Sequence, residues 1–124
     1  MKIKIKITKD ILKKSMLCGI GINHNVKTDC AIAFALREIA PNASVTDLNI
    51  FWTGEMNYQD PVSPLPTGAG EFIRKFDSLS YAPGLRLYLP VFSFEIEFPD
   101  KLIERIGIGE IKNILSNSET ISEV

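Results

Sequence analysis

The chain has 124 residues, of which 45% are hydrophobic and 23% are charged, and its formal net charge is -1. This length and composition are those of one globular domain with a single core. The near-neutral charge excludes the usual electrostatic basis for binding DNA or RNA, since that binding depends on neutralising phosphates. No run approaches the roughly 20 apolar residues that cross a bilayer, and the N-terminus lacks the apolar core of a signal peptide. We therefore expect a cytoplasmic protein without a membrane partner.

The first predicted elements are a strand and a short helix. Lysine and isoleucine alternate from Lys2 to Ile7, which predicts a strand with buried isoleucines and solvent-facing lysines. Thr8 is placed to cap a short helix that runs through Lys13. Glycine and asparagine residues then predict a turn-rich link, which holds Cys18 and His24.

An almost fully apolar helix is predicted from Asp29 to Ala40. Thr28 or Asp29 can cap its start, and Pro41 ends it because proline disfavours helical geometry at the residue before it. Apolar groups cover most of the circumference of this helix, so it must be buried. We expect either the C-terminal extension or a second subunit to cover its outer side.

The middle of the chain predicts a strand followed by a long loop. From Ser44 to Thr53 the sequence favours a strand in which Leu48, Ile50 and Trp52 share one face. The stretch from Gly54 to Pro66 is rich in proline and polar residues, which predicts an irregular loop. Loops of this length in a compact domain often carry function.

A second main helix is predicted from Gly68 to Asp77, with Thr67 as its cap. After it, apolar residues occupy odd positions up to Val91 and even positions from Phe92 to Phe98. Because a shift of one residue turns a strand over, the change of phase at Pro90 predicts two strands joined by a bulge or a bend.

The C-terminal part predicts short helices and a polar tail. A helix is expected from Lys101 to Ile106, with Gly107 placed to end it, and Glu110 to Leu115 can add a further turn or two. The tail from Ser116 onward is rich in serine, asparagine and glutamate. Such a tail has nothing to pack against unless a neighbour supplies it.

These elements predict one α+β domain. We expect an antiparallel sheet of about four strands, with the two main helices packed on one face. Residues 1–98 form the core, and residues 99–124 form a C-terminal helical extension and polar tail of the same domain.

The candidate chemistry is sparse. Cys18, His24 and Cys30 are evenly spaced, but zinc sites use close ligand pairs and about four ligands, so we predict no metal site and no cofactor. Cys30 at a helix start would gain thiolate character beside the single histidine, which leaves a Cys-dependent hydrolase as an alternative. The favoured interpretation of Cys30 is a small packed residue, and we predict no catalytic residue and no enzyme activity.

Aromatic and arginine side chains indicate a ligand site instead. Trp52, Tyr58, Tyr81 or Tyr88 can stack on a base. Arg37, Arg74 or Arg86 can hold a phosphate. The strongest subset is Trp52, Tyr58 and Arg74, since all three lie in or beside the long loop. The alternative interpretation makes Trp52 a core residue and Arg74 a solvated helix residue.

Three segments of the chain resemble a known group of proteins. They are Ile7-Thr8-Lys9-Asp10 after the first strand, the Cys-led helix Asp29-Cys30-Ala31-Ile32-Ala33-Phe34-Ala35-Leu36-Arg37-Glu38, and Phe72-Ile73-Arg74-Lys75-Phe76-Asp77 followed by Pro90-Val91-Phe92-Ser93-Phe94-Glu95. In this order they are similar to small, largely uncharacterised proteins encoded by bacteriophages. The resemblance covers residues 1–98; the usual proline after the cysteine is Ala31 here, and the tail beyond Phe98 is longer than in the group.

The resemblance implies a phage protein that acts in the cytoplasm of the bacterial host. Small phage proteins without enzymatic motifs often act by binding, and some sequester nucleotide signals of host immunity as homo-oligomers. By analogy of setting, we predict a non-enzymatic, homo-oligomeric binding protein that sequesters a cyclic nucleotide signal through Trp52, Tyr58, Arg74 and Arg86. The alternatives are an inhibitor or adaptor that binds a host protein through the lysine-bearing first strand or the acidic tail, and the Cys-dependent hydrolase.

Overall fold

The computed structural model describes residues 1–18, 31–54 and 60–124. In these ranges the chain has mixed α+β structure with two three-stranded antiparallel sheets, instead of the single sheet of about four strands that the sequence predicts. In chain order the elements are β1 (Lys2–Ile7), α1 (Lys9–Ser15), α2 (Ala31–Leu36), β2 (Ser44–Val45), β3 (Asn49–Phe51), β4 (Val62–Pro64), α3 (Thr67–Ser78), a 3-10 helix (Pro83–Tyr88), β5 (Phe92–Glu97), α4 (Asp100–Ile106), α5 (Ile108–Asn117) and β6 (Ile121–Glu123).

The first sheet has β1 at its centre, between β5 and β6. Its isoleucines are buried and its lysines are exposed, as the alternation predicts. On one side Lys4 lies opposite Glu95 of β5. On the other side Ile5 lies opposite Ile121 of β6, and Ile121 is buried. The tail that the sequence presents as polar and unpacked therefore supplies a strand.

The second sheet begins with a hairpin where the sequence predicts one continuous strand. Thr46 Oγ1 accepts hydrogen bonds from the backbone N–H groups of Leu48 and Asn49, at 3.3 and 3.1 Å, so the chain turns between β2 and β3. Leu48 lies in this turn and is 66% exposed, whereas Ile50 is buried. The prediction that Leu48 shares one face of a strand with Ile50 was wrong, because a side-chain hydrogen bond to the backbone favours a turn over a strand.

The third strand of this sheet, β4, lies inside the stretch that the sequence predicts as an irregular loop. It pairs with β3 through Ser63 opposite Ile50. Residues 55–59 of that stretch lie outside the described residues.

The first helix and its cap agree with the prediction. Thr8 Oγ1 accepts a hydrogen bond of 3.1 Å from the backbone N–H of Ile11, which satisfies one of the free donors of the first turn of α1. The helix is followed by the hydrogen bond from Cys18 N to Ser15 O, 3.0 Å long.

The apolar helix is described from Ala31, and hydrogen-bonded turns continue it to Ala40. Its predicted caps and Cys30 lie outside the described residues. It packs against α1, β1 and α3. Next to its C-terminal end, Glu38 accepts hydrogen bonds from the hydroxyls of Ser118 and Thr120, so the C-terminal extension contacts the chain at this end of the helix.

The segment before β5 is a 3-10 helix where the sequence predicts a strand. Pro83 stands in its first turn, where a missing N–H is tolerated. Every third side chain then lies on the same face. Arg86 and Leu89 are accordingly buried, while Leu85 and Tyr88 are exposed. The leucines that alternate in the sequence therefore do not share a face: Leu85 is exposed, Leu87 is half-buried and Leu89 is buried.

The remaining helices follow the sequence with small changes. Pro66 precedes α3, and Thr67 makes no capping hydrogen bond at its start, contrary to the prediction. Gly107 ends α4 with a φ of 92°, a backbone region that favours glycine. One hydrophobic cluster joins buried residues from both sheets and from every described α-helix. Among the described residues, no helix is both long and apolar enough to cross a bilayer.

Candidate functional site

Trp52, which the sequence nominates as a stacking residue, lies between the two sheets and is 2% exposed. Its indole Nε1 donates a hydrogen bond of 2.7 Å to Ser63 Oγ, and its ring meets the edge of Phe98 at a centroid distance of 5.0 Å. The Ser63 hydroxyl in turn donates to the Glu97 carbonyl at 3.0 Å. The surroundings of Trp52 match the alternative interpretation, in which it is a core residue.

Arg86 is also enclosed, with 1% exposure. Its Nε donates to the Phe76 carbonyl at 2.9 Å, and its Nη1 donates to the carbonyls of Met16 and Cys18 at 2.9 and 2.7 Å. The guanidinium lies 4.0 Å from the centroid of the Phe76 ring. These carbonyls stand at the C-terminal ends of α3 and α1, where the helix dipoles favour a cation. Arg86 therefore holds two helix ends together.

Arg74 is the exposed member of the predicted site. Its Nη1 lies 2.9 Å from Asp47 Oδ2, and the two side chains are 54% and 40% exposed. This ion pair connects α3 to the turn of the β2–β3 hairpin. Tyr58 lies outside the described residues. The three described side chains have separate partners and do not share either of the two clefts described next.

The first cleft lies between α3 and the start of β5 and has a volume of about 210 Å³. It is lined by Gly68, Glu71, Phe72, Lys75, Pro90 and Phe92. The rings of Phe72 and Phe92 are 4.9 Å apart, so the cleft combines apolar surface with one acid and one base on the same face of the helix.

The second cleft, of about 180 Å³, lies where α1, the end of α2 and residues 117–120 meet. It is polar, but its polar groups pair with one another. Lys14 Nζ lies 2.8 Å from Asp10 Oδ2, and this hydrogen bond raises the pKa of Lys14 above its ordinary value. Glu38 accepts a hydrogen bond of 2.7 Å from Thr120 Oγ1. This arrangement connects the C-terminal segment to the helices and provides no activated nucleophile.

The sequence offers Tyr81 and Tyr88 only as residues that stack on a base, and it does not show how exposed the apolar side chains of this segment are. Among the described residues the most exposed large apolar side chains are those of Tyr88 and Tyr81, at 82% and 78%, and Leu85 and Val91 of the same segment of the chain are 46% and 49% exposed. Leu85 and Tyr88 are three residues apart in a 3-10 helix and therefore lie on one face. We call these four residues the aromatic surface. Reading a period of three from Pro83 would have revealed it.

Two cations bind the segment that carries Leu85 and Tyr88. Arg86 is one of them, through the helix ends described above. The other is Lys9, whose Nζ donates to the carbonyls of Leu87 and Leu89 at 2.8 and 3.3 Å. The backbone from Arg86 to Leu89, which includes the exposed Tyr88, is thus bonded to the rest of the fold through these two side chains.

The described residues offer no metal centre. In residues 1–18, 31–54 and 60–124, no group of three or more His, Cys, Asp or Glu side chains is placed to hold an ion. The pair invoked for the hydrolase alternative, Cys30 and His24, lies outside these ranges.

No protein-family model, curated protein or solved structure matches the chain. The resemblance to small phage proteins stays a prediction from the sequence.

Proposed function

We propose that this chain is a non-enzymatic binding protein whose partner is another protein, held on the aromatic surface. The observation that supports this proposal is the exposure of Tyr81 and Tyr88, at 78% and 82%, together with Leu85 and Val91. Tyrosine is enriched among the residues that dominate binding energy at protein interfaces. Its ring supplies apolar area while its hydroxyl tolerates water, so it can be exposed before binding and buried after it.

The rigidity of the supporting segment favours the same function. Ordering side chains and loops on binding costs free energy. The backbone from Arg86 to Leu89, which carries Tyr88, is already held by the hydrogen bonds of Arg86 and Lys9, so less of that cost remains when a partner binds. The surface is therefore pre-organised.

The setting of this function comes from the sequence resemblance, which implies a phage protein with a host protein as its partner in the bacterial cytoplasm. The geometry favours this function over sequestration of a cyclic nucleotide. Two of the four residues nominated for the nucleotide, Trp52 and Arg86, are buried and bonded to protein atoms.

The test is affinity capture from a bacterial lysate with quantitative mass spectrometry. The double variant Tyr81→Ser/Tyr88→Ser should fold with a free energy of unfolding within about 0.5 kcal/mol of the wild type, because both side chains are exposed. It should retain at least tenfold less partner, which corresponds to a loss of about 1.4 kcal/mol. Leu48→Ser is the matched control, since Leu48 is 66% exposed but lies in the β2–β3 turn.

Equal capture by the wild type and the double variant would refute the proposed surface. Sedimentation velocity identifies a second copy as the occupant if the wild type is a dimer and the double variant is a monomer. Calorimetric titration with cyclic nucleotides tests the competing function, and binding heat at micromolar protein would favour that function instead.

A further inference from the structure

The outer edge of β5 carries backbone groups that point away from its partner. β5 is an edge strand of the first sheet. Phe98 N donates to Met1 O at 2.7 Å, and in the same register Phe94 lies opposite Ile5. In an antiparallel pair, alternate residues direct both their N–H and their C=O groups to the same neighbour. Ser93 and Glu95 therefore direct theirs away from β1.

A hydrogen bond at the end of β5 agrees with this alternation of backbone directions. The Glu97 carbonyl also points away from β1, and Ser63 Oγ of β4 donates to it at 3.0 Å. Toward the start of the strand, Pro90 and Phe92 line the cleft shared with α3. Among the described residues, the edge between these two limits is open at Ser93 and Glu95.

The pairing of β5 with β1 indicates which residues a strand added at the open edge of β5 would need. β5 buries Phe94 and Ile96 and exposes Ser93, Glu95 and Glu97. β1 complements it on the inner edge by alternating isoleucine with lysine, and it places Lys4 opposite Glu95. The outer edge presents the same alternation of aromatic and acidic side chains, so a strand of the same chemistry complements it.

We infer that the open edge of β5 binds an extended segment of a partner protein in which basic and apolar residues alternate. The segment adds a strand to the sheet through the backbone groups of Ser93 and Glu95. Its basic side chain lies beside Glu95, where opposite charges on neighbouring strands attract. Its apolar side chain enters the cleft formed by Phe72 and Phe92. The inference rests on the proposed function only in that the occupant is a protein.

The probe is a fluorescently labelled hexapeptide with the sequence of β1, Lys-Ile-Lys-Ile-Lys-Ile, measured by anisotropy with the full chain. The control peptide Lys-Lys-Lys-Ile-Ile-Ile has the same composition and charge without the alternation. We expect the alternating peptide to bind at least tenfold more tightly. Two further versions of this peptide carry methyl groups on the backbone amides of either its lysines or its isoleucines. One of the two should fail to bind, since only one set of amides faces β5.

Two variants locate the site. Ser93→Pro removes an N–H that β1 does not use, and proline is tolerated on edge strands, so it should lower affinity at least tenfold. Glu123→Pro is the matched control, because the register of β6 turns that residue away from β1 as well. Glu95→Gln should weaken binding by about fivefold or less, as expected for a partly exposed charge pair.

Equal binding of both hexapeptides, or unchanged affinity of Ser93→Pro, would overturn the inference. If Ser93→Pro does not fold, the methylated peptides still test the inference on the wild-type chain. If neither set of methyl groups lowers the affinity, strand addition is excluded. The variant Tyr81→Ser/Tyr88→Ser should bind the hexapeptide like the wild type. If capture of the partner depends on the two tyrosines but the hexapeptide does not bind, the proposed function stands and this inference alone is refuted.

Discussion

At the scale of single residues, Arg86 shows how burial decides what an arginine does. A buried guanidinium is costly unless its donors are satisfied. Here they donate to the carbonyls of Phe76, Met16 and Cys18, which lie at or just beyond the C-terminal ends of two helices. The Phe76 carbonyl also accepts from the backbone N–H of Leu79. The carbonyls satisfy the donors of the buried guanidinium, so Arg86 stabilises the fold.

Arg86→Leu should therefore destabilise the protein strongly. Three carbonyl groups lose a hydrogen bond from a charged donor, and the free energy of unfolding should fall by about 3 kcal/mol or more, since hydrogen bonds to charged groups contribute roughly 1.5–3 kcal/mol each. Urea denaturation followed by circular dichroism measures it. Arg74→Leu is the control, because it loses one exposed ion pair with Asp47 and should cost less than about 1 kcal/mol. Similar losses in both variants would contradict the structural role of Arg86.

At the scale of elements, α3 approaches the β2–β3 hairpin so closely that only glycine fits. A Cβ at Gly70 would lie 2.2 Å from the Asp47 carbonyl oxygen. One turn further along the helix, Arg74 forms its ion pair with the Asp47 side chain. The backbone and the side chain of one residue in the turn thus fix the position of the helix.

The substitution Gly70→Ala should force these elements apart. Alanine favours the helix by about 1 kcal/mol over glycine, but overpacking of this kind costs roughly 1–3 kcal/mol, so a net loss of stability is expected. Gly68→Ala lies in the same helix, and its Cβ would meet nothing within 4 Å. That control should gain up to about 1 kcal/mol. Thermal unfolding measures the stability of both variants. If both are more stable than the wild type, the β2–β3 hairpin moves away from α3 without a cost in stability.

The elements that the sequence predicts well are those with local signals. The strict alternation in β1, the Thr8 cap of α1 and the glycine that ends α4 are all visible in a few neighbouring residues. The strand β6 is not, because Ile121 is buried only through its pairing with β1, which is distant in sequence. The hairpin depends on the Thr46 hydroxyl, which accepts a hydrogen bond from the backbone N–H of Asn49 and so favours a turn where the local sequence also suits a strand.

The candidate site was harder to predict for the same physical reason. Sequence shows that Trp52 and Arg86 can stack and bind anions, but it does not show that Ser63 and three helix-end carbonyls already occupy their polar atoms. Conversely, the sequence predicts a strand around Tyr88, in which Leu85 and Tyr88 lie on opposite faces. The 3-10 helix places both side chains on one exposed face.

At the scale of the whole molecule, the two sheets share one core and are connected through Trp52. The indole belongs to the segment after β3, its acceptor Ser63 belongs to β4, and the same hydroxyl donates to Glu97 of β5. The first sheet itself joins the beginning and the end of the described chain, since β1 lies between β5 and β6. Neither sheet can lose its packing without disturbing the other.

Unfolding should therefore be a single cooperative transition. Trp52 is the one tryptophan of the chain, so its fluorescence reports on the junction of the sheets while far-ultraviolet circular dichroism reports on all helices and strands. Coincident urea transitions are expected, as for a small two-state domain. Ser63→Ala leaves the indole N–H and the Glu97 carbonyl unpaired, and it should shift both transitions equally, by about 1–3 kcal/mol. A shift of the fluorescence transition alone would show that the second sheet unfolds independently.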